Sequence, residues 1–226
     1  MQPKEDLNCY ASPAQRNVLI RLAEIPLIRD HFFLTGGTAL SVFYLHHRTS
    51  EDLDLFSCES VDLAEVQFSI RMMWQSGQTL IRSTSQFLSL LIENVKVDIV
   101  VDSLSDHSNR DRIQVGTSQV LIDSLANIGA NKLCTLVSRT EPKDFIDFFY
   151  LTHSVAGVTF ESLFEAARKR EALLDDPPTA AYQLETGLRI LQDHKSLIPR
   201  LSQQIDFEEL NRFYEALAIN LYRKLR

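Results

Sequence analysis

Asp52-Leu53-Asp54 is the stretch whose residue types and spacing point most directly to chemistry. Side chains of an extended strand alternate between faces, so the two carboxylates project side by side from one face. Adjacent carboxylates repel each other. A hard divalent cation relieves that repulsion, and magnesium takes oxygen ligands while keeping several waters. Taken alone, the pattern also describes a solvated strand edge. Gly36-Gly37-Thr38 ends one apolar run and opens a helix. Glycines let a backbone approach a phosphate, free N–H groups at a helix start attract anions, and the Thr38 hydroxyl adds a donor. A plain glycine turn with a threonine cap is the other reading. Asp98, in a second alternating stretch, supplies a third carboxylate, with Asp102 a weaker rival on the same face. Phosphoryl and nucleotidyl transfer with two metals uses such a triad, one ion activating the attacking hydroxyl and the other steadying the leaving phosphates.

A second group follows. Lys132 and Arg139 lie two turns apart on one helical face, ahead of Pro142-Lys143-Asp144-Phe145-Ile146-Asp147. A lysine there can neutralise triphosphate charge. Asp144 stands near a helix N-terminus, where the dipole favours acids whatever the function. Asp147 is one turn further in, among aromatics, and is less simply explained. His46-His47 reads as a histidine pair at a helix end, and Met72, Met73 and Trp74 as helix packing. Arg168-Lys169-Arg170 and the terminal Tyr222, Arg223, Lys224 and Arg226 read as solvated surface or as contacts for RNA phosphates.

The elements that must position these residues follow from periodicity. Ser12-Pro13-Ala14-Gln15 is a helix start, with Val18, Leu19, Leu22 and Ile25 at helical spacing and Pro26 closing the segment. A short apolar run at 32–34 precedes the glycines, and residues 38–47 turn helical again. Strands are expected at 52–56, 79–83, 87–93 and 95–101, with an amphipathic helix at 61–75 between the first two. Val95, Val97, Ile99 and Val101 fall on one face of the last strand, Lys96 and Asp98 on the other. Beyond about residue 123 the strand signal fades, and helices are expected at 124–139, 142–153, 159–173, 178–194 and 206–225. The organisation is therefore an α/β core over 1–122 and a helical region over 123–226, with a hinge near 116–123.

The 226 residues are 45% hydrophobic, enough for a real core without disulfide or metal staples. The three cysteines share no ligand spacing, so a zinc site and a disulfide framework are both poor readings. A polar N-terminus without a signal sequence and the lack of a long apolar run imply a cytoplasmic protein with no membrane partner. The net charge of -7 argues against wholesale coating of nucleic acid, while leaving room for a local basic patch.

In combination, the segment from Phe33 through Leu40 and that from Arg48 through Phe56 resemble the active-site segment of the AbiEii-type nucleotidyltransferases, the toxin halves of abortive-infection systems. Lys132-Leu133-Cys134-Thr135-Leu136, Arg139 and the run from Lys143 to Phe148 are similar to that family's later motif. The resemblance implies an α+β protein: a DNA polymerase β-like nucleotidyltransferase core with a small mixed sheet, followed by a helical C-terminal part. It implies that Gly36, Gly37 and Thr38, with Lys132 and Arg139, bind the NTP. Asp52, Asp54 and Asp98 would hold Mg2+ or Mn2+, and Asp52, Asp54, Lys132 and Asp147 would be catalytic. The implied acceptor is tRNA or another RNA, and the implied partner a cognate antitoxin protein. Transfer to a protein hydroxyl and a silent nucleotide-binding regulator are the alternatives.

Overall fold

Strand β2 (Leu53–Ser57) alternates buried and half-buried side chains, with Leu53, Leu55 and Ser57 inward and Asp54 and Phe56 outward. The computed structural model describes residues 1–104 and 110–223 and divides into two compact units, Met1–Ser124 and Leu125–Arg226. Lys224 and Arg226 lie outside the described residues.

In the first unit α1 (Pro13–Leu22) and α2 (Pro26–His31) lead into β1 (Phe33–Thr35). A helical turn α3 (Gly36–Thr38) continues as a π-helix, Ala39–Leu45, all seven of whose residues are buried. A helix apolar on every side can only be stable inside a core. After β2 come α4 (Leu63–Met73), β3 (Gln78–Ser83), β4 (Phe87–Ile92), β5 (Val95–Val101), β6 (Asp111–Val115) and β7 (Ser118–Ile122).

Among the described residues these strands form one mixed sheet in the order β3-β4-β5-β2-β1-β7-β6. The central pairings fix the positions of the acids. β2 runs antiparallel to β1 and parallel to β5, which sets Asp54 opposite Thr35 on one side and Asp98 on the other. Val95, Val97 and Ile99 bury the opposite face of β5, matching the alternation expected of it.

Three expectations are corrected. Residues 116–122, expected within a hinge, are the turn and second strand of the β6–β7 hairpin. Gly116 takes φ +58 in that turn, a conformation that costs glycine little. Pro26 does not merely close the first helix but opens a second. Met72 is exposed rather than packed, whereas Trp74 is buried, its indole N–H donating to Glu93 Oε1 (2.9 Å) beneath the Arg21 guanidinium.

The second unit holds α5 (Leu125–Ser138), α6 (Pro142–Ser154), α7 (Phe160–Arg168), α8 (Pro177–Asp193) and α9 (Phe207–Arg223). Its core includes the fully buried Phe145, Phe148 and Tyr214; the Tyr214 hydroxyl donates to the Phe145 carbonyl at 2.6 Å. Among the described residues no helix is long and apolar enough to cross a membrane.

Candidate functional site

Asp54 occupies the middle of the sheet, flanked by β1 and β5, and its carboxylate lies against Gly36 at the β1–α3 turn. A Cβ on Gly36 would collide with Asp54 Oδ2, and Gly36 has φ +67. Space and backbone conformation therefore both demand glycine there. Gly37 is constrained differently: a Cβ would come within 2.6 Å of Nη2 of Arg48, a guanidinium only 3% exposed. The Gly-Gly turn is thus shaped around an acid and a buried base.

Thr38, expected as a phosphate contact, points elsewhere. Its side chain is fully buried, and its hydroxyl donates to the backbone carbonyl of Asp52. It also shares a hydrogen bond with Ser50 Oγ (3.0 Å) and accepts one from Gln15 Nε2 (3.3 Å). Gln15 in turn donates to the same Asp52 carbonyl (3.3 Å) and accepts from Ala11 N–H (2.9 Å). The start of α1, the glycine turn and the approach to β2 are thereby tied at one point beside the acids.

The acidic face holds four charged groups. Asp54 is on the outward face of β2, Asp52 immediately precedes the strand, and Asp98 lies across from Asp54 on β5. Lys96 lies two residues before Asp98 on the same face. Its Nζ is 2.7 Å from Asp98 Oδ2, while Ser89 Oγ on β4 donates to Asp98 Oδ1 at 2.5 Å. Burial lowers the Lys96 pKa, but the hydrogen bond and charge of Asp98, with the charges of Asp52 and Asp54, outweigh it and raise the pKa above its ordinary value. Among the described residues no hydrogen bond reaches the Asp52 carboxylate. Two half-buried carboxylates one residue apart, both oxygen donors, fit a hard divalent cation.

A buried acid is tied to the residue opposite Asp54. Asp123, fully buried at the end of β7, accepts from the Thr35 hydroxyl (2.7 Å), the residue opposite Asp54, and from Arg110 Nε (3.0 Å). Arg110 lies over the Phe33 ring at 3.6 Å. Elsewhere in this unit Asp6, Cys9 and His46 bring ligand atoms within 4.8 Å of one another, but the Asp6 carboxylate there already caps a turn through Asn8 N–H (2.9 Å).

In the second unit Lys132, 6% exposed, is gripped between two fully buried acids. Its Nζ is 2.7 Å from Asp144 Oδ1 and 2.6 Å from Asp147 Oδ2. Arg139, largely solvated, approaches Asp144 Oδ2 at 3.7 Å. Lys132, Asp144 and Asp147 thus form one ion-paired group on α5 and α6. Burial, then the charges of Asp147 and Asp144, raises the Tyr214 phenol well above its ordinary pKa.

The sequence reading assigned no role to Lys96, Ser89, Gln15 or Asp123. Lys96 carried one signal, its place beside Asp98 on the polar face of an alternating strand; Ser89 is fixed by the β4–β5 register, and Gln15 and Asp123 by pairings distant in sequence.

The chain's fold is similar to solved structures of nucleotidyltransferases. JHP933 from Helicobacter pylori matches with a TM-score of 0.51 at 17% identity, covering 98% of this chain and 95% of its own. MenT4, a nucleotidyltransferase toxin of Mycobacterium tuberculosis, gives 0.50 at 14% identity, covering 92% and 82%. ANT(2'')-Ia, solved with adenylyl-2''-tobramycin, gives 0.52 at 13% identity, covering 70% and 98%. At such identities the likeness establishes the fold alone. No curated protein sequence matches the chain. The family model described as nucleotidyl transferase AbiEii toxin, type IV toxin–antitoxin system, matches residues 18–219. With that match spanning both units, this chain belongs to the AbiEii nucleotidyltransferase toxin family.

Proposed function

We propose that this nucleotidyltransferase moves a nucleoside monophosphate from an NTP to a hydroxyl at the 3′ acceptor end of tRNA, with Mg2+ or Mn2+ held by Asp52 and Asp54. The observation that carries the metal assignment is the register placing Asp54 between Thr35 and Asp98 with its carboxylate against Gly36. In the reaction the acceptor oxygen bonds to the α-phosphorus, the bond to the bridging oxygen breaks, and pyrophosphate leaves. A divalent ion at these acids supplies charge neutralisation for the phosphates and acidifies a bound hydroxyl. The chain's own part is positional. Gly36 and Gly37 bring backbone close to the acids, and Thr38 and Gln15 hold the Asp52 backbone in place. By resemblance Lys132 and Asp147 are catalytic and Lys132 and Arg139 bind the NTP; the 6% exposure of Lys132 supports a role set by its ion pairs. The family description supports a toxin held in check by a cognate antitoxin.

The acceptor is the least constrained part. The net charge of -7 favours a second reading, transfer to a protein hydroxyl. Purified protein incubated with magnesium, each α-labelled NTP, total RNA and cell extract separates the two. Label on tRNA that disappears with Asp54→Ala is the expected result. Label on a protein band instead would favour the second reading, and label unaffected by Asp54→Ala would overturn the metal assignment.

A further inference from the structure

We propose that Lys96 is a built-in cation of the acidic face, occupying the place beside Asp98 that a second divalent ion would need, so that the site takes a single ion at Asp52 and Asp54. This rests on the nucleotidyl-transfer reading and deepens it. A two-metal site needs a third carboxylate free to face the second ion. Here both oxygens of Asp98 are engaged, Oδ2 by the Lys96 ammonium (2.7 Å) and Oδ1 by the Ser89 hydroxyl (2.5 Å).

The engagement is built into the sheet. Ser89 is the cross-strand partner of Asp98 on β4, and Lys96 is two residues earlier on the same face of β5. The Asp98 side chain is only 14% exposed, so water screens its pairing weakly. A divalent ion on either Asp98 oxygen would stand within a few ångströms of an ammonium and be strongly repelled. An ammonium has three donors and spends one on Asp98, leaving N–H groups for a phosphate or acceptor oxygen. Unlike an exchangeable ion, this positive charge stays with the chain when product leaves.

The test counts ions rather than turnover. Mn2+ is titrated into the intact protein with a non-hydrolysable α,β-methylene NTP analogue and followed by electron paramagnetic resonance. Wild type and Lys96→Arg are expected to bind one Mn2+ per chain with the spectrum of an isolated ion. Lys96→Met is expected to admit a second Mn2+, and the two ions to broaden each other's signal, because paired metals in such sites lie about 3.5–4 Å apart. Two coupled ions in wild type, or a single ion in folded Lys96→Met, would overturn the inference. The wild-type count decides the matter even if Lys96→Met fails to fold. No Mn2+ bound at all would overturn the nucleotidyl-transfer reading and this inference with it.

Discussion

Lys132 shows how differently one residue type behaves in two places. Lys96 keeps a side chain 43% exposed beside its acid, whereas Lys132 is nearly enclosed and shared between Asp144 and Asp147. Burying an ammonium with two carboxylates yields little net stability, because desolvation offsets most of the attraction. Removing one partner is costly, because the charges left behind stay buried without compensation. Lys132→Met keeps the length of the stem and deletes the charge, leaving two fully buried acids facing each other. The expected loss is about 3–5 kcal/mol in urea unfolding. Adding Asp147→Asn to that variant should recover part of the loss, since the double change removes one of the stranded charges. A loss below about 1 kcal/mol, the range of surface pairs, would mean that the ion pair does not persist in solution.

At the scale of elements, the knot of Gln15, Thr38, Ser50 and the Asp52 carbonyl determines how β2 meets the glycine turn. Thr38→Val preserves shape and removes the hydroxyl, leaving a carbonyl and a buried serine short of a partner. About 1–3 kcal/mol of stability should go with it, read as a lowered melting temperature. If Thr38 acted on the triphosphate instead, KM for NTP would rise while stability held. Thr38→Ser, which keeps the hydroxyl, should stay close to wild type on both measures. The same elements mark how far the sequence could be read. β2 and β5 were legible because a strand with one buried face alternates strictly, and Asp52, Asp54 and Asp98 stood out as polar positions in that rhythm. The β6–β7 hairpin carried the same signal, with Ile113 and Val115, then Val120 and Ile122, on either side of the Gly116-Thr117 turn. Its signal is short, with only two alternating apolar residues marking each strand between exposed Arg112, Gln114 and Gln119. Lys96 was visible as a strand residue but not as a partner of three acids, since that requires knowing that β2 and β5 run parallel in one register. Such pairings join residues over forty positions apart, and periodicity is a local signal.

At the scale of the whole molecule, charge limits what kind of acceptor surface the chain can offer. Acids outnumber bases, 30 to 23, and many of the bases are already engaged. Arg16, Arg21, Arg29 and Lys143 lie within ion-pair distance of Glu5, Glu93, Asp30 and Glu141. The Arg168-Lys169-Arg170 run, a candidate phosphate contact by sequence, is partly committed too: Arg168 pairs with Asp175 and Arg170 donates to Asn131 Oδ1 at 2.6 Å. A nucleic acid must compete with these acids for such cations. Each phosphate neutralised on a single strand contributes about -0.7 to the slope of log affinity against log salt. An RNA acceptor held through three or four phosphates should therefore give a slope of about -2 to -3. The measurement is the apparent KM for the RNA acceptor between about 50 and 200 mM KCl, at saturating NTP and magnesium, a range that distinguishes few from many phosphate contacts. A slope near -7 or steeper would require a basic surface of about ten contacts, against the charge pattern seen here. A slope near zero would mean that acceptor binding does not run through phosphates, and would move the assignment from RNA to a protein hydroxyl.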